Sequence, residues 1–232
     1  MKHRIPSLLF SFLAMMMSFT SCGLIDMEFD EGESIMSSLS LPYDSVYVMV
    51  GDTFDLTPII TPAEHVSENM LWTSRADSVL RATDNMFIAV GEGESVITCM
   101  NVETLISDTC HVTVLPRWQL NAQEYFENMV FIADVTLDGK PFDPETQTIV
   151  ARINNTILGI GQQREAFGIK YIELRVWFPS FVEPDLRDEF NNILVHFSLY
   201  DRRTLQLYDS KEYISLDRES HGTLSELYEI RF

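Results

Sequence analysis

Cysteine is scarce in this chain, three residues in 232, too few for the fold to rest on a disulfide framework. Basic side chains are also in short supply. Sixteen Lys and Arg face 35 Asp and Glu, for a formal net charge of −19. A polyanion repels phosphate backbones and anionic headgroups, and no local basic cluster offsets that repulsion, which argues against a nucleic-acid partner. The apolar run from Leu8 to Phe19 falls short of the ~20 residues a spanning helix needs.

Chemistry is missing as well. The histidines at positions 3, 65, 111, 196 and 221 do not fall at metal-ligand spacing with another His, Cys or acid on a shared face. No Gly-x-Ser-x-Gly, phosphate loop or dinucleotide fingerprint occurs. Gly159-Ile160-Gly161 lacks the third glycine and the following helix and reads as a turn. Glu183, Asp185, Asp188 and Glu189 lack calcium-loop spacing and read as a solvated loop. With 35 acids chance carboxylate pairs are inevitable, and none stands out for glycoside hydrolysis. The expectation is a protein that is not an enzyme, with no catalytic residue, metal or cofactor.

The N-terminus, by contrast, is informative. Lys2 and Arg4 make a cationic start, the apolar run follows, and Thr20-Ser21 place small residues before Cys22. The arrangement resembles a bacterial lipoprotein signal of the relaxed Bacteroidetes type, with Phe19 where Leu is commonest. That resemblance implies cleavage before Cys22, lipidation of Cys22, and a membrane partner held through acyl chains. An ordinary cleaved signal and a short anchor helix are the alternatives. From Gly23 to Leu39 the chain crowds Asp26, Glu28, Asp30, Glu31 and Glu33 together, a composition that favours an extended acidic tether over a packed element. An acidic stretch in this place also resembles the signal for the outer face of the outer membrane. The expected location is the outer membrane, lipid-anchored and surface-exposed, with the periplasmic face as the alternative.

Between Ser40 and Leu115 short apolar-polar alternations are separated by turn residues: Val46 to Val50, Phe54 to Ile60, Leu71 to Thr73, Val79 to Ala82, Met86 to Val90, Ser95 to Met100 and Thr109 to Val114. This many strands without a helical period predict a β-sandwich. The order Val50-Gly51-Asp52-Thr53, Leu56, Thr61-Pro62, Trp72-Thr73-Ser74, Ala89 to Gly93, Ile97-Thr98 and Cys110 to Val114 resembles a bacterial immunoglobulin-like domain of group 2. The resemblance covers this whole segment and implies that Trp72 packs between the sheets, as an indole of its size does on physical grounds alone. Inward alternation of Ile97, Cys99, Cys110 and Val112, with a turn centred near Thr104-Leu105, places Cys99 opposite Cys110. A cross-strand disulfide and two buried thiols are both compatible with that placement.

After Pro116 and Arg117 a second alternating pattern runs to the C-terminus. Met129, Phe131, Ala133, Val135 and Leu137 share one face, then Ile149, Ala151 and Ile153, then Ile172, Leu174 and Val176, then Ile193, Val195, Phe197 and Leu199, with Asp138-Gly139 and Asn154-Asn155 as turns. Its phrases Ala133 to Gly139, Gly159 to Gly161 and Leu199 to Asp201 faintly resemble a C-terminal module of Bacteroidetes surface proteins, a likeness that implies no activity. Trp177, Phe178 and Phe181 form an aromatic run, and Tyr171 shares the outward face with Trp177. Exposed, such rings stack on sugars or anchor a protein. Buried, they cover a sheet edge or fill a contact between domains.

The sequence therefore predicts an all-β fold of two tandem antiparallel β-sandwiches. Residues 1–21 form the signal peptide, 22–39 the tether, 40–115 the immunoglobulin-like domain and 118–232 the second sandwich. Two roles fit: adhesion or capture of a glycan or protein ligand at the cell surface, and a structural spacer or assembly component with no small ligand.

Overall fold

The computed structural model describes residues 36–63, 69–120, 125–179, 194–216 and 219–232. Cys22, the tether through Ile35, Phe181 and the acidic group at 183–189 lie outside the described residues. The described chain is all β. In its first half run β1 (Ser38–Ser40), β2 (Ser45–Met49), β3 (Thr53–Asp55), β4 (Ile59–Thr61), β5 (Met70–Ser74), β6 (Leu80–Thr83), β7 (Met86–Ala89), β8 (Gly93–Asn101) and β9 (Ser107–Leu115). One sheet has the order β2-β9-β8-β5, a second β3-β7-β6, and β1 pairs β4 as a ribbon. All pairs are antiparallel except β2 with β9, which is parallel.

Alternation decides which side chains meet between these layers. Val46, Val48, Ile97, Cys99, Cys110, Val112 and Val114 come from the first sheet, and Phe54, Leu80, Phe87 and Ala89 from the second; all are buried in one cluster. Each of the Val, Leu, Ile and Phe side chains among them contributes roughly 1.5–3 kcal/mol relative to exposure. Trp72 sits partly buried on that cluster, its ring edge-on to Phe87 with centroids 5.6 Å apart. The expected strand from Phe54 to Ile60 is split in two. Pro58 has no N–H to give a ladder, so Thr53–Asp55 pairs β7 and Ile59–Thr61 pairs β1. The end of the expected tether belongs to the fold: Met36 and Leu39 are buried in the first core.

The second half carries β10 (Tyr125–Leu137), β11 (Lys140–Pro141), β12 (Gln147–Ile153), β13 (Thr156–Ala166), β14 (Ile169–Pro179), β15 (Leu194–Asp201), β16 (Gln206–Ser215) and β17 (Tyr228–Arg231). These make a single eight-stranded sheet, β11-β10-β14-β13-β12-β15-β16, with β17 parallel on the free edge of β10. The sheet folds on itself through β13, which pairs β12 up to Ile160 and β14 from Gly161 onward. Gly159-Ile160-Gly161 is thus the corner of a strand and not the turn expected from sequence. A Cβ at Gly161 would stand 2.4 Å from Ile149 Cγ2 and 2.8 Å from Ile172 Cγ2, and one at Gly159 2.4 Å from the Arg175 carbonyl oxygen. Only glycine lets the two layers approach so closely.

Most alternating positions named from sequence fill this interior: Met129, Phe131, Ala133, Val135, Leu137, Ile149, Ala151, Ile172, Leu174, Val176, Val195, Phe197 and Leu199 are buried, Ile153 is partly buried against them, and Ile193 lies outside the described residues. Phe131 is their centre. It meets Phe197 edge-on at 5.2 Å, stacks on His221 at 4.7 Å and meets Tyr228 at 5.2 Å.

Candidate functional site

Strand β14 decides the fate of the aromatic run. Ile172, Leu174 and Val176 point to the core, so by parity Phe178 does too, and it is 4% exposed within the second core. Phe178 is therefore a packing residue and not a ligand contact, which decides for this ring between the two readings left open from sequence. Tyr171 and Trp177 remain half-buried on the outer face. Six residues of strand, roughly 20 Å, separate them, and the Arg175–Glu173 ion pair at 3.2 Å lies between. They do not form one flat stacking surface.

The two cysteines of the first core are free and buried. Register pairs Cys99 with Asp108 and Cys110 with Ile97, so the hairpin turns one residue earlier than expected and the sulfurs stand diagonally rather than opposite. Diagonal neighbours are several ångströms farther apart than a disulfide accepts. Burial, and then the nearby Asp108 carboxylate, pushes both thiols up to about 11, so they stay protonated and poorly reactive. His111 is exposed on the opposite face. Among the described residues no group of three His, Cys, Asp or Glu could hold a metal.

What sequence reading missed is the junction between the two halves. The turn between β15 and β16 carries Leu205, which adopts φ +55° and is 9% exposed, buried in the first core. Tyr47 N–H donates to the Leu205 carbonyl at 2.8 Å, and Gln206 Nε2 donates to the Ser45 carbonyl at 3.0 Å. Buried Asp201 shapes the turn: its Oδ1 accepts from the Arg203 N–H at 2.9 Å and its Oδ2 from Gln147 Nε2 at 3.1 Å. The start of the connecting segment touches both modules. Arg117 pairs with Asp52 at 3.0 Å and donates from Nε to the Val50 carbonyl at 3.3 Å, while Trp118 meets Tyr200 edge-on at 6.3 Å.

A cleft of about 540 Å³ lies at this junction, lined by Asp52, Asp55, Arg117, Arg202 and Arg203 beside Tyr43 and Tyr200. The Tyr200 hydroxyl is buried with no hydrogen-bond partner among the described residues. Burial, then the Asp52 charge, raises its pKa far above the phenol range, so it stays neutral. An unmet buried hydroxyl costs about 1–3 kcal/mol, so packing against Trp118 takes precedence here over polar pairing.

One further polar cluster resembles a nucleophilic relay and is not assembled as one. Ser198 donates to Asp209, Arg152 Nε donates to the Ser198 hydroxyl at 2.6 Å, and Arg152 also reaches Asp209 at 2.9 Å. A relay needs an imidazole between hydroxyl and carboxylate. His196 instead approaches Asp209 only at 3.9 Å, and burial followed by the Arg152 charge lowers its pKa. A guanidinium donating to the serine oxygen also draws electron density from it. The cluster ties β12, β15 and β16 together.

No family model matches the chain, and no curated protein matches it in sequence. Among solved structures it is similar to domains 5–6 of the S-layer protein SbsC, at 12% identity and a TM-score of 0.30, over 82% of this chain and 99% of that one. A longer piece of the same surface layer protein, domains 4–9, matches at the same identity and TM-score, over 82% of this chain and 32% of the other. Resemblance at this level carries no argument about role.

Proposed function

We propose that this chain is a non-enzymatic envelope lipoprotein whose two sandwiches act as a rigid spacer or assembly component at the cell surface. The observation that carries the reading is Leu205: a side chain from the second module completes the core of the first, which couples the modules as one body. Tandem domains joined by a bare linker move independently by default, and a spacer gains from suppressing that motion. The address comes from the N-terminal signal and Cys22. Acyl chains there make attachment two-dimensional, and the acidic stretch before Met36 supplies reach. The group 2 immunoglobulin-like assignment of residues 40–115 belongs to the same proposal and rests on the motifs quoted above. Ligand capture loses support with Phe178 in the core, because among the described residues Trp177 is then the one ring of the run on the outer face.

Two measurements test the reading. Mass spectrometry of the mature protein is expected to find an acylated Cys22 at the N-terminus, and Cys22→Ala to release the protein from membranes. Small-angle scattering is expected to give one rigid particle for the native chain and a broadened interdomain distribution for Leu205→Asp. Identical scattering from both would sink the coupled-spacer reading.

A further inference from the structure

The first module is threaded from end to end. Met36 Sδ lies 4.0 Å from Thr104 Oγ1, so the chain enters beside the β8–β9 turn. β2 then runs parallel to β9, from Ser45 opposite His111 to Met49 opposite Leu115. The chain leaves for the second module after Leu115, at the far end of a nine-residue strand, roughly 30 Å away. The β8–β9 turn is therefore the end of the module nearest the N-terminus.

That end is apolar on its outside. Leu105 is 67% exposed, Val102 47% and Leu71 45%. Strand register gathers them. Leu71 lies opposite Met100, and both point away from the core that Trp72 and Cys99 face. Val102 follows Met100 on the same side, and its N–H donates to the Asn69 carbonyl at 3.0 Å. Leu105 stands on the turn itself at φ +61°, a conformation that Asn tolerates better than Leu. An apolar side chain thus occupies a strained, solvent-facing position where a polar one suits the backbone, the kind of local conflict expected where a surface has work to do.

Area and reach decide what covers the patch. A stable protein interface takes about 800 Å² from each partner, and a few partly exposed aliphatic side chains fall well short of that. A bilayer asks for less. Residues 22–35 span at most about 50 Å, so acyl chains on Cys22 keep this end of the module beside the membrane. Tethering raises the effective concentration of the surface into the millimolar range, where a weak apolar contact is populated. Charge selects the lipid. Residues 98–109 contain no Lys or Arg to attract an anionic headgroup. The acids there are already engaged: Glu103 accepts from the Asn69 side-chain amide, and Asp108 accepts the Leu41 N–H at 2.7 Å and the Thr109 N–H at 2.8 Å.

We propose that the β8–β9 end of the first module is a membrane foot, with Leu71, Val102 and Leu105 resting in the interfacial layer of a zwitterionic bilayer beside the acyl anchor. Acyl chains alone attach the protein without orienting it. The foot sets the module upright and holds the second module away from the surface. This deepens the spacer reading and rests on lipidation of Cys22.

The test uses the mature acylated chain in phosphatidylcholine vesicles, with an environment-sensitive fluorescent amino acid at exposed position 103 or, as control, at Lys140 in the second module. Emission from position 103 is expected to shift to the blue and to be quenched by spin-labelled lipid, while the probe at 140 stays aqueous. Leu105→Asn suits the turn and keeps the urea midpoint, yet weakens the lipid contact about tenfold, the scale for one leucine leaving an apolar environment. Aqueous emission at 103, equal lipid quenching at 103 and 140, or native quenching in Leu105→Asn overturns the proposal. So does a shift at 103 that follows protein concentration and not lipid, which assigns the patch to a second copy. Mass spectrometry of the same sample reports the acyl group. Where Cys22 carries none, its thiol is coupled to a maleimide lipid in the signal-free chain, Cys99 and Cys110 being buried and protonated, and the foot is tested apart from the anchor.

Discussion

The two modules solve the same burial problem with different means. The first divides its strands among three small sheets, and seven of its nine are only three to five residues long. The second winds strands of up to 13 residues into one folded sheet. Short strands bury few inward positions each, and the first core is completed by Leu205 from the other module, whereas the second core contains no residue before Met129. Dependence therefore runs one way. The sharpest way to break the comparison is Leu205→Ala, expected to cost the first module about 2–4 kcal/mol, the range for a truncated buried leucine. Hydrogen exchange should accelerate in β2 and β9 and stay unchanged in β10 and β14. Equal acceleration in both modules would show that the cores are not ordered in this hierarchy.

A second substitution probes the reverse case, a fault confined to the self-sufficient module. Gly161→Val places its Cβ within 2.4 Å of Ile149 Cγ2, and overpacking of this kind costs typically about 1–3 kcal/mol. The urea midpoint of the second module should fall, with near-ultraviolet signals from Trp72 in the first unchanged. Because Leu205 reaches the first core from β15–β16 and not from the β13 corner, the two faults should be close to additive.

The contrast also explains what could be read in advance. Strict alternation made Met129 to Leu137 and Ile172 to Val176 legible as core strands, and Asp138-Gly139 legible as a turn, because period and turn chemistry are local properties. Phe178 could be settled only by parity: it shares a face with Ile172, Leu174 and Val176, which selects the buried of the two readings its aromatic neighbours left open. Gly159-Ile160-Gly161 was misread because a glycine pair marks both turns and strand corners, and only the approach of Ile149 and Ile172 separates the two. The cysteine register failed by one residue in the turn, which moves every cross-strand partner by two. Leu205 carried no local signal at all. An apolar residue in a polar turn, Asp201-Arg202-Arg203-Thr204-Leu205, is informative only once the neighbouring module is in place.

The smallest expected effect concerns pH and again separates the modules, since the coupled titrating pair belongs to the second. His196 has its pKa lowered by burial and then by Arg152, with Asp209 opposing. Asp209 is pushed up by burial, but hydrogen bonds from Ser198 and Arg152 outweigh this and leave it below the usual carboxylate range. For the histidine, the unfolded chain takes up its proton near pH 6.5 while the folded chain does so only at lower pH. The unfolded state thus binds more protons in that window, and stability falls as pH drops from about 6.5 through the folded pKa. For Asp209 the contribution is present above the unfolded value near 3.9 and is lost on further acidification. His196→Gln should flatten the urea midpoint of the second module between about pH 7 and pH 5 while keeping the loss below about pH 4. Asp209→Asn should remove the lower step and leave Arg152 without its partner, so that variant starts less stable at neutral pH. A native midpoint that is flat from pH 7 to pH 5 would mean that His196 titrates as freely in the folded chain as in the unfolded one, and that the β12–β15–β16 network does not bias its protonation.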